Sequence, residues 1–374
     1  MKGYSQVPVV GYFMSIGGNS MHIPDGYLAP QTTIPVLAGM IPVWGISLKK
    51  VQRTLNDKQI PSLALGSAFT FVLMMFNIPV AGGSSAHAVG ATLIAILLGP
   101  WAAAISVSTA LLIQALVFGD GGILAFGVNC LNMAVVMPLS GYLVYRLILG
   151  KARPGSSRSL IAAFAGGYVG INMAALLAGV ELGIQPLLFQ SAGGTPLYCP
   201  YPLSVSLPAM ALTHLAFAGP LEAVVTAATF AYVVKFAPHL LSDRQPVLTG
   251  APEPARPSFL KRYRAVLIPL AVLIVLTPLG LLTSGTAWGE WGGDELQKQL
   301  GYIPQGLAAM GDWWHSLLPD YSFSFAEGQA MSAVGYLISA AVGIALISLL
   351  IVLTSRLILK TTKEKARGAS HHES

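Results

Sequence analysis

Long apolar segments recur along the chain and restrict it to one kind of architecture. We predict nine membrane-spanning helices, at about residues 31–48, 61–77, 87–98, 101–118, 123–149, 159–182, 207–235, 264–282 and 331–359. A helix needs about 20 apolar residues to cross the hydrocarbon core, so the third segment is expected to be tilted or re-entrant. Only 10% of the residues are charged, compared with about 25% in soluble domains. The predicted fold is an all-α polytopic membrane helix bundle, with about seven transmembrane helices in a core and two in a carboxyl-terminal module.

Basic residues cluster in the links that fall on one side of this bundle. The clusters lie at 49–58, 146–158, 235–264 and 356–367, and of the 21 basic residues only Lys2 and Lys298 lie elsewhere. Cytoplasmic loops of membrane proteins are enriched in Lys and Arg. We therefore expect a plasma-membrane protein with its amino terminus outside and its carboxyl terminus in the cytoplasm. The excess of positive charge indicates topology and gives no sign of nucleic-acid binding.

A short segment before the first apolar stretch carries unusual chemistry: Met21-His22-Ile23-Pro24-Asp25-Gly26-Tyr27-Leu28. A free amine on Met21, the peptide nitrogen of His22 and its imidazole can close fused chelate rings on one metal ion. Such nitrogen sets suit Ni(II) or Cu(II), and Co(II) is close to them in affinity. Pro24 and the turn pair Asp25-Gly26 predict that residues 21–28 form a stiff hook. Taken alone, the segment fits a capped turn before a helix better than a metal site.

A second stretch combines a Gly- and Ser-rich loop with a histidine: Asn77-Ile78-Pro79-Val80-Ala81-Gly82-Gly83-Ser84-Ser85-Ala86-His87. Together with the hook, it resembles the CbiM/NikM family, the substrate-capturing membrane subunits of energy-coupling-factor cobalt and nickel importers. The resemblance spans roughly residues 21 to 235. It continues through Phe118-Gly119-Asp120-Gly121-Gly122, Asn129-Cys130-Leu131-Asn132-Met133 and Thr213-His214-Leu215-Ala216-Phe217-Ala218-Gly219-Pro220-Leu221-Glu222. These uncommon strings occur in the family's order, so they are specific in combination.

The resemblance implies which residues hold the ion. By motif match, Met21 supplies its amine, His22 its amide and imidazole nitrogens, and His87 the remaining nitrogen. Three amides either orient these imidazoles, as outer-shell groups do, or are ordinary helix and loop amides when each is taken singly; they are Asn77, Asn129 and Asn132.

His214 and Glu222 are ionisable residues within an apolar segment, which makes them candidates for function. On an ideal helix they lie about 80° apart around the axis and roughly 12 Å apart along it. They can share one ion only if the helix breaks at Gly219-Pro220, so we favour a structural hydrogen-bonding role for both. The alternative from another class is an intramembrane metalloenzyme that uses His87, His214 and Glu222, with a general base near a bound water.

The sequence contains no Gly-x-x-x-x-Gly-Lys-Ser/Thr string and no His-Glu-x-x-His or Cys-x-x-Cys string. We therefore expect a transporter subunit, not an enzyme, with no cofactor of its own and with Co(II) or Ni(II) as its ligand. The resemblance implies that ATP is hydrolysed by partners. These are a transmembrane coupling subunit (CbiQ/NikQ-like) and ATPase subunits (CbiO/NikO-like).

Residues 1–20 precede Met21 and leave it without a free amine. They make a poor signal peptide, because Pro8 and Gly11 interrupt a weak apolar run and no Ala-x-Ala site follows. We expect this extension to be absent from the working protein, which then begins at Met21.

The chain is predicted to contain two modules. Residues 21–235 form the metal-capturing membrane domain, 236–263 a proline-rich cytoplasmic linker, 264–360 a second module and 361–374 a cytoplasmic tail. The strings Thr277-Pro278-Leu279-Gly280-Leu281-Leu282 and Gly285-Thr286-Ala287-Trp288-Gly289-Glu290-Trp291-Gly292 resemble the PDGLE/CbiN-like small subunit, fused here. The second module contains an acidic outer loop, 283–330. This loop either concentrates cations or is an ordinary solvated loop.

Overall fold

The computed structural model describes residues 22–54, 60–80, 84–242, 258–282, 287–311, 313–323 and 328–370. Within these ranges the chain is a helical bundle with one two-stranded hairpin, and the predicted all-α polytopic class is confirmed. Seven helices are long and apolar enough to cross a membrane, at Pro30–Arg53, Pro100–Phe118, Phe126–Leu149, Ser157–Leu188, Leu203–Phe236, Phe259–Leu282 and Gln329–Arg356. Ile60–Met74 is a shorter apolar helix of 15 residues.

The described part of the core contains eleven helices in chain order. They are α1 Pro30–Thr54, α2 Ile60–Met74, α3 Ala91–Leu98, α4 Pro100–Ile113, α5 Phe126–Asn129, α6 Met137–Leu149, α7 Ser157–Gly183, α8 Gln185–Leu188, α9 Leu203–Thr213, α10 Gly219–Phe236 and α11 His239–Ser242. Three π-helical segments continue α4, α5 and α9, at Gln114–Phe118, Cys130–Val136 and His214–Ala218. The second module contains α12 Phe259–Leu276, α13 Gly293–Leu300, α14 Gln305–Met310 and α15 Gln329–Ser370, with 3-10 turns at Thr277–Leu282 and Pro319–Tyr321.

The third predicted span is part extended and part helical. Strands β1 (Ile78–Val80) and β2 (Ser84–Ala86) pair antiparallel, and α3 then runs for only 8 residues. Eight helical residues rise about 12 Å, so the extended residues before Ala91 supply the rest of the segment's length. Pro100 takes the first helical position of α4, where a missing N–H costs no hydrogen bond. The segment is therefore short, as its length in the sequence predicted.

Helix α7 packs against α6, α9 and α10. Small residues on α7 allow close approach, because a Cβ atom built at Gly166 would lie 2.7 Å from the carbonyl oxygen of Gly141 on α6. The Ser156 hydroxyl accepts a hydrogen bond from the Ser159 N–H and caps the start of α7. This tight packing holds together the helices that carry most of the candidate site.

The second module packs on the core chiefly through α15, which lies along α2. The Tyr336 hydroxyl donates to the carbonyl oxygen of Met75 (3.0 Å), and a Cβ atom built at Gly343 would overlap the ring of Phe71. The residues on both sides of these contacts are buried, so the second module is packed on the core.

The outer loop differs from the ordinary solvated loop considered for it. Trp288, Trp291 and Leu296 are buried. Glu295 is also buried, and its carboxylate accepts the N–H of Gly292 at the start of α13 (2.9 Å). Asp312 and Glu327 lie outside the described residues. The sequence predicts an acidic loop, but the aromatic residues between the acidic ones decide the structure, because they bury the segment against the core.

Candidate metal site

His22 is almost completely buried, with 2% of its surface exposed. Gly121 allows this close packing: a Cβ atom built there would lie 2.9 Å from His22 Cβ, and its φ of +91° also favours glycine. The predicted turn at Asp25-Gly26 is present. Gly26 has a φ of +88°, and a Cβ atom there would lie 2.5 Å from Leu307 Cα in the second module. The hook is therefore held between the core and the second module.

Asp120 lies behind His22 and receives three donors. His22 Nδ1 is 2.9 Å from Oδ1, while Gln114 Nε2 (3.2 Å) and the Tyr321 hydroxyl (2.6 Å) donate to Oδ2. A carboxylate in this position fixes the tautomer of an imidazole and raises the basicity of its other nitrogen. That other nitrogen, Nε2 of His22, is buried and has no hydrogen-bond partner.

Asn129 and Asp25 fix the backbone around His22. The Asn129 side chain accepts from the Ile23 N–H (3.2 Å) and donates to the Ile23 carbonyl oxygen (3.0 Å). Asp25 accepts the N–H groups of Ile123 (2.9 Å) and Ala125 (3.0 Å). Asn129 thus acts on the residue that follows His22 and makes no hydrogen bond to an imidazole.

Asp25 has a further partner in the second module. The indole N–H of Trp313 donates to Asp25 Oδ2 (2.8 Å). The hook's turn is therefore tied both to the core loop before α5 and to the outer segment of the second module.

His87 faces His22, with the ring centroids 5.4 Å apart and the ring planes at 76°. Its Nδ1 lies 3.1 Å from the carbonyl oxygen of Ala88. A carbonyl oxygen only accepts, so a neutral His87 ring carries its proton on Nδ1 and its lone pair on Nε2. The structure thus brings together the two histidines that the motifs predicted as ligands.

Glu222 organises the backbone that follows His87. Its Oε2 accepts the N–H groups of Val89 (2.8 Å) and Gly90 (3.0 Å), and its Oε1 accepts the Thr226 hydroxyl (3.2 Å). Glu222 is completely buried. These contacts place the carboxylate behind the His87 loop.

A cavity of about 100 Å³ lies between the two imidazoles and the second module. Its polar lining includes His22, His87, His214, Asn129, Asn132 and Glu290. His214 Nδ1 is 2.8 Å from the carbonyl oxygen of Met210, one turn earlier. Asn77 is buried outside this lining, where a Cβ atom at Gly280 would approach its peptide nitrogen to 3.1 Å. Of the predicted residues, therefore, Asn77 and Glu222 lie apart from the cavity.

Three buried polar atoms of this lining have no hydrogen-bond partner: His22 Nε2, Asn132 Oδ1 and Glu290 Oε2. The Asn132 amide nitrogen donates to Glu181 (2.6 Å), which fixes the orientation of the amide. Burial, with the charge of Asp120 as the second cause, raises the pKa of Glu290 well above its usual range. Unpartnered buried polar atoms are uncommon in native proteins and call for an explanation.

The π-helical segments all border this site. They contain Gln114, Asn132 and His214, each described above. Single-turn π-bulges occur frequently at functional sites. Between His214 and Glu222 the regular helix is interrupted by the π-helical segment His214–Ala218, and α10 begins directly after it at Gly219.

The ligand set that the motifs predict is only partly visible. Met21 lies outside the described residues, and among those described no three His, Cys, Asp or Glu side chains converge closely enough to hold a metal ion. His22 Nδ1 is the ring nitrogen able to close a chelate with the peptide nitrogen of the same residue, yet here it faces Asp120. A chelate therefore requires the ring to rotate about Cβ–Cγ and release Asp120.

Fold and site together define a polytopic membrane protein that encloses paired imidazoles between a helical core and a capping module. The family model described as the cobalt uptake substrate-specific transmembrane region, CbiM, matches residues 22–240, and that of the PDGLE domain matches residues 262–360. The chain belongs to the CbiM family of metal-transporter membrane components and carries a fused PDGLE domain.

Relatives with both modules are known. The chain is 47% identical over 342 residues to the fused nickel transport protein NikMN of Rhodobacter capsulatus, covering 87% of this chain and 95% of the relative. It is 45% identical over 339 residues to the probable fused nickel transport protein LarMN of Lactiplantibacillus plantarum, covering 88% and 96%. The crystal structure of a truncated transition metal transporter is similar, with a TM-score of 0.54 and 53% identity over 57% of this chain and 99% of that one.

Proposed function

We propose that the chain captures Co(II) or Ni(II) at the outer face of the membrane and releases it inside when partner subunits hydrolyse ATP. The ligands are the Met21 amine, the His22 peptide and imidazole nitrogens, and His87. The observation that carries the proposal is the pair of imidazoles 5.4 Å apart beside a small cavity, one of them buried with an unpartnered nitrogen. Nitrogen donors favour these metals over Mg(II) and Ca(II), which prefer oxygen. The nickel transport named for the fused relatives agrees with this class of ion.

Capture ends with the His22 ring rotated, so that Nδ1 joins the peptide nitrogen and the Met21 amine on one ion while His87 supplies the fourth nitrogen. The nitrogens must lose protons to bind, so capture releases protons. Rotation removes one of the three donors to Asp120, and Gln114 and Tyr321 remain on its Oδ2. The carboxylate therefore stays hydrogen-bonded when His22 leaves it.

The directions of the helices support capture from outside. Helix α1 starts beside the hook and carries Lys49, Lys50 and Arg53 in its last turns, while α5 starts beside Asp25 and its continuation α6 carries Arg146 near its end. Basic residues thus lie at the ends of these helices that point away from the hook. Because basic loops are cytoplasmic, the hook and His87 belong to the outer face.

Partner subunits drive the transport step. The sequence has no P-loop, so ATP hydrolysis is assigned to ATPase subunits and its transmission to a transmembrane coupling subunit. Large apolar side chains such as Leu143, Leu147 and Val275 are exposed on the bundle, which suits contact with lipid and with apolar helices of the coupling subunit. Hydrolysis then reorients the whole subunit toward the cytoplasm.

The metalloenzyme hypothesis requires Glu222 beside a metal-bound water. Its carboxylate instead accepts hydrogen bonds from Val89, Gly90 and Thr226. Glu222 is therefore engaged with the backbone, which favours transport over catalysis.

The test is metal uptake in cells that also express the partner subunits. His22→Ala and His87→Ala are each expected to lower isotope uptake per inserted molecule by at least about 10-fold, because each removes an imidazole ligand. His214→Ala is the control and should reduce abundance more than uptake per molecule. The proposal fails if His87→Ala transports normally while His214→Ala inserts normally and captures no metal.

A further inference from the structure

We propose that Glu290 of the fused module forms an entry site with His22 Nε2 and Asn132 Oδ1, which holds the incoming divalent cation before the nitrogen ligands take it. This inference rests on the proposed function and adds a residue and a stage to it. The metal is then received jointly by the core and the second module.

The three atoms come from separate parts of the chain and meet at one cavity. His22 belongs to the hook, Asn132 to the π-helical segment after α5, and Glu290 to the outer segment of the second module. Each atom is buried and unpartnered. Other buried polar atoms of the described chain also lack partners, but these three line one space, and three lone-pair-bearing atoms around one space are an arrangement that a cation satisfies.

Glu290 supplies the charge. Among the described residues that line the cavity it is the one carboxylic acid, whereas Asp120 lies behind His22 and outside the lining. A carboxyl group in a site with little water binds a divalent cation, in exchange for its proton, far more strongly than one in bulk solvent. The Glu290 N–H donates to the Ala287 carbonyl oxygen (3.2 Å), which holds the segment in place.

The size of the cavity fits a partly dehydrated ion. Its volume is about 100 Å³, and one water molecule needs about 10 to 15 Å³ of such space. The space therefore accommodates an ion that keeps several of its waters. The oxygens of Glu290 and Asn132 and the Nε2 nitrogen of His22 replace some of the waters on the ion. The remaining waters are labile ligands, which the final nitrogen ligands can displace.

The entry site and the final nitrogen site use different faces of His22. With Nδ1 on Asp120, the structure offers Nε2. Rotation of the ring presents Nδ1 to the ion and ends the contact through Nε2. The same side chain thus receives the ion in one rotamer and chelates it in the other.

The experiment follows Co(II) binding to the purified full-length chain by stopped-flow absorbance of the ligand-field bands, with cobalt(II) chloride as the probe. The variants are Glu290→Gln, which removes the charge and keeps the shape, Glu290→Asp, which keeps the charge, and Asp294→Asn. Asp294 is exposed and lies four residues further along the same segment, outside the cavity lining, so it is the matched control for charge.

Glu290→Gln is expected to lower the association rate constant by about 10-fold or more, with an unchanged final spectrum and a stoichiometry equal to wild type. Asp294→Asn should change the rate less than about 2-fold, because an exposed charge is screened by salt. An association rate for Glu290→Gln equal to that of Asp294→Asn overturns the proposal. If Glu290→Gln does not fold, the Glu290→Asp variant decides the question. The shorter side chain draws the carboxylate back from the cavity, so association should be slower. An unchanged association rate in Glu290→Asp would then refute the entry site.

The entry site and the nitrogen site fail differently. If wild type shows a rapid Glu290-dependent phase but never develops nitrogen-ligand bands, the proposed nitrogen capture is wrong and the entry site stands. If the nitrogen-ligand bands develop at a rate that does not depend on Glu290, the entry site is wrong and the nitrogen capture stands.

Discussion

Tyr321 donates a hydrogen bond of 2.6 Å to Asp120, although 201 residues separate them in the sequence. Asp120 is the carboxylate that holds His22, so the second module reaches the candidate metal ligand through one intervening side chain. The contact is buried at both ends, and Tyr321 stacks on Phe118 with ring centroids 4.7 Å apart. The fused module is thereby part of the support of the site.

Removing this hydrogen bond should slow metal binding. Tyr321→Phe is expected to lower the Ni(II) association rate by about 10-fold, because Asp120 holds His22 Nε2 toward the incoming ion and outer-shell partners of metal ligands have effects of that size. The affinity should change less than about 3-fold, since Asp120 is released in the final nitrogen site. The substitution should also lower the free energy of unfolding by about 1 to 3 kcal/mol. Tyr336→Phe is the control: it removes a buried bond to the Met75 carbonyl oxygen, so it should cost stability and leave the association rate unchanged. Equal losses of rate in both variants would contradict the role given to Tyr321.

Asp120→Asn distinguishes the two rotamers of His22. If the bound ion sits on Nε2, the carboxylate behind the ring increases affinity, and its loss should cost about 10- to 100-fold at equilibrium. If capture ends on Nδ1, as proposed, Asp120 is released and the equilibrium loss should be smaller than about 3-fold. We expect the smaller loss in a calorimetric titration with Ni(II). A loss of 10-fold or more would show that Nε2 remains a ligand.

Glu222→Gln should loosen the backbone after His87. The amide oxygen can replace Oε2 and keep the Val89 and Gly90 bonds, but the NH2 group then replaces Oε1, so the second contact of the Gly90 N–H (3.2 Å to Oε1) is lost. A loss of about 2 kcal/mol in the free energy of unfolding is expected, with lower abundance in the membrane. Metal affinity should fall less than in His87→Ala. A variant that is fully stable but binds no metal would instead indicate direct ligation by Glu222.

The orientation can be tested with introduced cysteines. The native thiols interfere little, because Cys130 and Cys199 are buried and burial raises the pKa of Cys199 to about 12. Ala192→Cys, on the hook side, should react with an impermeant maleimide added outside, whereas Ser258→Cys should react only after permeabilisation. Both positions are exposed. Labelling of Ser258→Cys from outside would reverse the topology and place the hook in the cytoplasm.

The mature amino terminus decides whether Met21 is a ligand. Sequencing of the native protein is expected to begin at Met21, because a free amine is required beside His22 for the proposed set of four nitrogens. An active transporter that retains residues 1–20 would remove the amine from the ligand set. His22 and His87 would then have to bind the ion with their imidazoles and one amide at most.

Sequence patterns predicted the features that depend on local chemistry. Segment length predicted the short third span, and the Asp25-Gly26 pair predicted the hook's turn. The predicted spans cross the membrane in alternate directions, which places the loops of His22 and His87 on the same side and allows the two residues to meet. The roles of Asp120, Glu290 and Tyr321 were missed. Asp120 stands in the motif string Phe118-Gly119-Asp120-Gly121-Gly122, and Glu290 stands in the string that resembles the PDGLE/CbiN-like subunit. Neither string assigns these carboxyl groups a role.

Those residues act through contacts that no local pattern encodes. Tyr321 and Trp313 reach the site across 201 and 288 residues of sequence, and helical periodicity carries no information on such pairings. Glu222 binds peptide N–H groups, which every residue type except proline offers, so no sequence signal marks its partners. The available clue was the Trp288-Gly289-Glu290-Trp291 string, since two indoles beside a carboxyl group are unusual in a solvated loop.

The hydrogen bond between Asp25 and Trp313 also limits how early during protein synthesis the site can be completed. The hook leaves the ribosome early, but its last partner lies 288 residues later. At 5 to 20 residues per second, synthesis of that interval takes about 15 to 60 s. During this period the hook is without the cover of Trp313 and Leu307. The hook can therefore reach its final packing only after the second module has been synthesised.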